Sequence, residues 1–529
     1  MKKNILSVAS ILISVVLGGC ESLPDGDKII DKYVSEFNAD DNELYVQKFP
    51  DSIAAEFMKA NIPVFDCPDK ELKKTYYFRW WTFRKHIKET PVGTVISEFL
   101  PNVGWAGKFN TINCAASHHF AEGRWLHDGS YLNDYMRFWC SPDGNARHYS
   151  FPISDALLKF YSVHPDDKLL EDLYPRLKEL YAGWEGDHRD ANGLFWQMDG
   201  YDGMEVSVSG GLCPDARGYR ATINSYMYAD AMALSWMAGK FGNEAEAALY
   251  KAKADTIKNL MDTYLWDKEA CFYKVIPRNG EMTFSPAREE HGYVPWMYDI
   301  PGQDKSDAWL QLMDTEGFKA PFGPTTAEQR AEGFKVVYEG HECQWNGPSW
   351  PFATAQTLTG LARMLHRFGE EKITKADYLE TLRTYSNSHR RTLEDGRQIC
   401  WIDENLNPFT GDWLSRTRLM TWDNGTWSDG KGGVERGKDY NHSTFCDLII
   451  SGLIGIQPQL DGSVVIEPLV PEGEWDYFSL SGIQCAGKEI AVVYDKTGHH
   501  YHSGKGFAVY VNGKESSRSD SYSTSIIIP

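Results

Sequence analysis

Two consecutive stretches decide the fold: TINSYMYADAMALSWMAGKFG (222–242) and EAEAALYKAKADTIKNLMDTYLW (244–266). Both carry helical periodicity. The first is apolar nearly all round, which a helix tolerates only when buried on every side. The second is half polar, as a helix with one face in water must be. The same alternation recurs downstream. WPFATAQTLTGLARMLHRFG (350–369) reads as buried, with Pro351 suited to a helix's first turn, and KADYLETLRTYSNSH (375–389) follows as its more polar partner. STFCDLIISGLIGI (443–456) is buried again, and LLEDLYPRLKELYAGW (169–184) carries one apolar stripe.

Inner helix followed by outer helix is the rhythm of a toroid of helical hairpins. No fixed period of the kind solenoid arrays need is present. The expected fold is therefore mainly α: an (α/α)6 toroid barrel spanning 76–456, whose long Trp- and Gly-rich links gather at one mouth. After about residue 457 the texture changes to short β-type runs between turn residues, such as KEIAVVYDK and GFAVYVNGK. A small C-terminal β-sheet domain is expected over 457–529. Residues 20–75 read as a tether and an N-terminal helical wrap.

The chain opens MKKNILSVASILISVVLGGC. A charged start, a short apolar core and small residues before Cys20 form a secretory signal over 1–19, and a cysteine directly after Leu-Gly-Gly resembles the bacterial lipobox. Cys20 is expected to be acylated, tethering an exported protein to the outer membrane without a spanning helix. The formal net charge of −20 argues against nucleic acid as a partner. The other nine cysteines show no C-x-x-C pair or zinc-ligand spacing, so neither a metal nor another cofactor is expected.

The 18 tryptophans fall largely in loop contexts beside Gly, Asp and Asn: NVGWAG, CQWNGPSW, ICWIDE. Flat rings beside amides and carboxylates suit a carbohydrate partner, an oligo- or polysaccharide. HHFAEGRW supplies His118, His119, Glu122, Arg124 and Trp125 as pocket candidates. FWQMDGYDGMEVS supplies Asp199, Tyr201, Asp202 and Glu205, and the head of the inner helix after it adds Arg220 and Asn224. QWNGPSW supplies Gln344, Trp345, Asn346 and Trp350, and WIDENLNPFTGDW supplies Trp401, Asp403 and Glu404, with Trp413 closing the stretch. Opposed carboxylates in an aromatic pocket are what glycoside hydrolysis requires: one protonates the leaving oxygen, the other activates water or attacks.

These stretches carry a resemblance. ENLNPFTG (404–411) resembles the E-N-Y-x-P-x-T-G element of the (α/α)6 glycosidases around processing α-glucosidase, mannosylglycerate hydrolase and glycoside hydrolase family 63. QWNGPSWPF (344–352) resembles their W-R-G-P-x-W-P element, with Asn346 where the family has Arg. DGYDGMEVS (199–207) resembles the G-x-D-x-S-P loop that carries their acid, although the Ser-Pro is absent. The resemblance implies an exo-acting, inverting glycoside hydrolase with Glu404 as general base. Asp199, Asp202 and Glu205 compete for the acid, and Asp202, central in GYDGME, is the expectation. Two alternatives stand beside it. One is a surface glycan-binding lipoprotein without catalysis. The other is a polysaccharide lyase using Tyr201, His118 or His119 as base, with Arg124 neutralising a uronate.

Overall fold

The computed structural model describes residues 23–337, 343–416 and 435–529. The leader and Cys20 lie outside them. Among the described residues, six outer–inner helix pairs follow one another along the chain. The outer members are Lys70–His86, Ser130–Cys140, Asp167–His188, Glu244–Leu260, Gln303–Leu312 and Lys375–Ser388. The inner members are Ala116–Gly123, Ile153–Val163, Ala221–Lys240, Glu290–Tyr298, Pro351–Phe368, and a final one built from Phe445–Asp447 and the π-turns Leu448–Leu453. Each inner element packs on the next, and the last packs on the first, which closes the toroid.

Burial follows the sequence pattern. Inner helix Ala221–Lys240 buries residues around its whole circumference, including Asn224, Ser225 and Asp230. Outer helix Glu244–Leu260 buries only Tyr250, Ala254 and Ile257, one stripe at helical spacing. In Asp167–His188 the stripe Leu169, Leu170, Leu173, Leu177, Leu180, Tyr181 and Trp184 is buried. Trp350 is the N-cap of Pro351–Phe368, with proline in the first turn where its missing N–H costs nothing. A Thr374–Asp377 capping box starts Lys375–Ser388.

The C-terminal appendage contains a five-stranded antiparallel sheet and a three-stranded one. The larger sheet runs Tyr477–Cys485, Lys488–Asp495, Gly506–Val511, Lys514–Ser519. Its remaining edge is covered by Val64–Asp66 from the N-terminal wrap, so residues far apart in sequence complete one sheet. No described helix is long and apolar enough to cross a membrane.

The barrel has two ends of different character. At the C-terminal ends of the inner helices lies a basin of about 790 Å³ that includes His118, Arg124, Trp236 and Arg363. Its acids are each held by a cation: Asp155 by Lys159, Asp299 by Arg363, Asp447 by Arg124. At the N-terminal ends lies a smaller cavity of about 280 Å³ whose lining includes residues that immediately precede or begin four of these inner elements: Cys114, Tyr149, Trp350 and His442.

Candidate active site

The smaller cavity brings carboxyl and aromatic side chains together. Among the described residues, three carboxyl side chains line it: Glu98, Glu205 and Glu404. Its aromatic wall includes Trp105, Tyr149, Trp345, Trp350, Phe352 and Tyr440. Trp345 and Trp350 are stacked, 4.5 Å between centroids and 16° apart in plane, which makes one broad apolar face.

Glu404 is positioned from both sides. Downstream, Asn407 Oδ1 accepts from the Phe409 and Thr410 amides and the Asn407 carbonyl accepts from Gly411 N, so Asn-Pro-Phe-Thr-Gly is a closed turn. Leu406 and Ser349 exchange both backbone hydrogen bonds at 3.0 Å, which ties this turn to the NGPSW segment. Upstream, Asp403 Oδ1 accepts from the Glu404 amide at 2.8 Å and from Ser415 Oγ at 2.7 Å. Burial, with the Glu404 charge beside it, pushes the Asp403 carboxyl up to about 7. The Glu404 side chain, 1% exposed, accepts from Arg436 Nε at 2.8 Å and from the Cys343 thiol at 3.5 Å. Arg436 gives it a charge-assisted hydrogen bond, the kind of partner an ionised carboxylate takes.

This placement depends on a glycine. A Cβ at Gly437 would lie 1.8 Å from Asp403 Oδ1. Gly437→Ala is therefore expected to displace Asp403, and with it Glu404, and to lower kcat by about 10–100-fold, as misplacement of a reacting group by about an ångström does. Gly186→Ala is the control, because nothing lies within 4 Å of that Cβ. Equal rates for the two variants would show that Asp403 does not hold the site.

The acid loop resolves its three competitors by direction. Asp202 is buried and accepts from the Thr222 hydroxyl, its other oxygen has no partner among the described residues, and it is not part of the cavity wall. Asp199 accepts from the Gly200 amide and, at 3.5 Å, from Ser207 Oγ, tying the loop to itself. Glu205 alone of the three lines the cavity. The expectation centred on Asp202; one short turn sets Glu205, and not Asp202, in the cavity lining. Gly203 takes φ +80° with no room for a Cβ, which would lie 2.5 Å from Cys114 Sγ. Val206 takes φ +55°. A β-branched residue in the left-handed region is strained, and such strain collects where surrounding structure must aim a side chain. Here it flanks Glu205.

The structure separates several other sequence candidates from this cavity. His119 bonds the Asn441 carbonyl and the Tyr135 hydroxyl. Glu122 accepts from the Cys446 and Asp447 amides, capping the last inner element. Trp125 and Arg124 both donate to Asp447. Together these side chains stitch the first inner helix to the last, and His118 and Arg124 face the basin at the other end. They run down the barrel because helical spacing carries residues 118–125 away from the mouth. Asn224 is spent on both backbone polar groups of Phe195. Arg220 is fully buried beside Ser207. Gln344 and Asn346 lie behind the stacked tryptophans, with Trp350 Nε1 donating to the Gln344 carbonyl. Tyr201 is 42% exposed and packs edge-on to His148 and Tyr149. Trp401 and Trp413 do not form the wall facing Glu404: Trp401 is covered by Arg391, and Trp413 donates to the Arg390 carbonyl. They form the packed back of its loop.

Sequence reasoning missed Glu98, Tyr149, Arg436, Tyr440 and His442. A usable signal existed for Arg436, Tyr440 and His442, which stand just before the last inner helix, the position shared by the other site segments. Glu98 sits in the apolar run VISEFL and gave none.

Comparison with known proteins agrees with this fold. Residues 108–443 match the family model described as "Mannosylglycerate hydrolase MGH1-like glycoside hydrolase domain". The chain belongs to this family. A solved structure titled "Sialidase" is similar over 96% of this chain with a TM-score of 0.87 and 38% identity, and the chain spans 45% of that protein's length. The GH63 mannosylglycerate hydrolase from Thermus thermophilus, solved in complex with glucose, shares the fold at a TM-score of 0.50 and 13% identity over 71% of this chain and 98% of that one. A GH78 family rhamnosidase of Bacillus sp. GL1 does so at 0.51 and 12%, covering 82% and 40% respectively. Residues 108–443 thus form an MGH1-like glycoside hydrolase domain, and the fold is an (α/α)6 toroid.

Proposed function

We propose that the protein is an exo-acting, inverting glycosidase in which Glu205 is the general acid and Glu404 the general base. The observation that carries this is the convergence of the acid-loop and ENLNPFTG-loop carboxyls on one aromatic-walled cavity. Glu205 gives its proton to the departing glycosidic oxygen as the bond to the anomeric carbon breaks. Glu404 takes a proton from a water whose oxygen bonds to that carbon from the opposite face. Trp345 and Trp350 supply a face for sugar C–H groups, and Arg436 gives Glu404 a hydrogen bond that fixes its direction. A volume of about 280 Å³ is small for a ligand pocket and accommodates one terminal ring, not a length of polymer.

The test is a panel of plant and microbial oligo- and polysaccharides read by product size. Monosaccharide appearing from the first time point, with polymer viscosity unchanged, is expected. Early oligosaccharides with falling viscosity would overturn exo action, and no release from any glycan would overturn the assignment of the cavity.

We also propose that the protein is exported and held to the outer membrane by acyl chains on Cys20, on the strength of its leader. Radiolabelled palmitate is expected to enter the wild type and not Cys20→Ala, which should leave the membrane fraction. Equal labelling of both would refute the anchor.

A further inference from the structure

The cavity contains one more carboxyl than acid–base hydrolysis uses. Glu98 is 5% exposed and lines the same wall as Glu205 and Glu404. Its two oxygens differ. Oε1 accepts from the Tyr440 hydroxyl, while Oε2 is buried with no hydrogen-bond partner among the described residues. A buried polar atom left unsatisfied costs free energy unless something else in the functional state pairs with it. A carboxyl serving only to hold Tyr440 would leave its second oxygen against another protein donor, and none is there among the described residues.

The surroundings fix which proton form of Glu98 is present. Burial, opposed by the Tyr440 hydrogen bond and aided by the Glu404 and Glu205 charges, pushes it up to about 8. Arg436, the cation of this wall among the described residues, bonds Glu404. The Tyr149 and Tyr440 hydroxyls and the Cys114 thiol are pushed up by burial and stay neutral, and burial pushes His442 far down, so it is neutral too. Because Tyr440 donates to Oε1, the carboxyl proton of Glu98 resides on Oε2.

We infer that Glu98 is a substrate-recognition residue, donating a hydrogen bond from Oε2 to a hydroxyl of the sugar that Glu205 and Glu404 act on and so setting which hydroxyl configuration the cavity accepts. This deepens the glycosidase reading and rests on it for the identity of the ligand. A site built around a buried donor discriminates strongly against a sugar that leaves the donor unpaired.

The test is binding, so that it stands apart from turnover. D-glucose, D-mannose, D-galactose, L-rhamnose and L-arabinose are each titrated against the full chain. The readout is the tryptophan fluorescence to which Trp105, Trp345 and Trp350 in the cavity contribute. For the tightest binder, wild-type affinity should hold steady below about pH 7 and fall about tenfold per unit above about pH 8, as the donating form is lost. Glu98→Gln keeps the shape, an acceptor for Tyr440 and a donor, so its affinity should lose that alkaline fall. Glu98→Ala should bind about 10–100-fold more weakly at every pH below 8. An unchanged alkaline fall in Glu98→Gln, wild-type affinity in Glu98→Ala, or no binding of any sugar would each overturn the inference. If Glu404→Gln abolishes hydrolysis while Glu98 proves silent, the catalytic reading survives. If hydrolysis is absent but the Glu98 titration behaves as stated, the recognition role survives.

Discussion

Replacing Glu404 by Gln is expected to lower kcat by about 10²–10⁴-fold, the usual worth of a positioned acid–base group. Gln fills the same volume, and its side-chain oxygen still accepts from Arg436, so the fold should persist. Arg436 does lose an ionic partner at a site where both side chains are at most 2% exposed, and a melting point lower by several degrees is the expected side effect. The distinguishing readout is rescue. Azide is a nucleophile that needs no deprotonation, so it should restore turnover to Glu404→Gln and form a glycosyl azide of inverted configuration. A variant with unimpaired kcat would remove Glu404 from the chemistry. A variant that loses rate and is not rescued would assign it to substrate placement.

The second large effect separates Glu205 from its neighbour. Glu205→Gln should lose about 10²–10⁴-fold in kcat on a natural glycoside, whose alkoxide cannot leave unprotonated. On a p-nitrophenyl glycoside of the same sugar the loss should be far smaller, because p-nitrophenolate departs without a proton. Asp202→Asn should stay near wild type on both substrates, because Asp202 bonds Thr222 away from the cavity. If Asp202→Asn shows the leaving-group dependence and Glu205→Gln does not, the roles are reversed.

How much of this the sequence disclosed differs between fold and site for physical reasons. Inner and outer helices were legible because burial on all sides and burial on one face leave different periodicities, as Ala221–Lys240 and Glu244–Leu260 show. The joining of Val64–Asp66 to Tyr477–Cys485 was not legible, since strand pairing across about 400 residues leaves no local mark. In the candidate site, the turn that carries Glu404 was readable because it is made of Asn, Pro, Thr and Gly, whose conformational demands are local. Which of Asp199, Asp202 and Glu205 reaches the cavity was not, because the three share one loop and the outcome depends on which way the chain turns at Gly203 and Val206. Glycine advertises such a turn; valine does not. The pocket wall was misread for a related reason. Tryptophans adjacent in sequence to Glu404 pack behind its loop, and those facing it come from the segment that Ser349 and Leu406 clamp alongside. His118–Trp125 looked like a site because it is dense in polar groups, yet His119, Glu122, Arg124 and Trp125 bond across the closure of the toroid.

The central claim is that Glu404 activates water and does not itself bond to the sugar. The most direct measurement is proton NMR of the first product formed from an anomerically pure glycoside, recorded before mutarotation. The predicted product is the anomer opposite to the substrate. A first product of the same anomeric configuration would contradict the account and make the carboxylate a nucleophile.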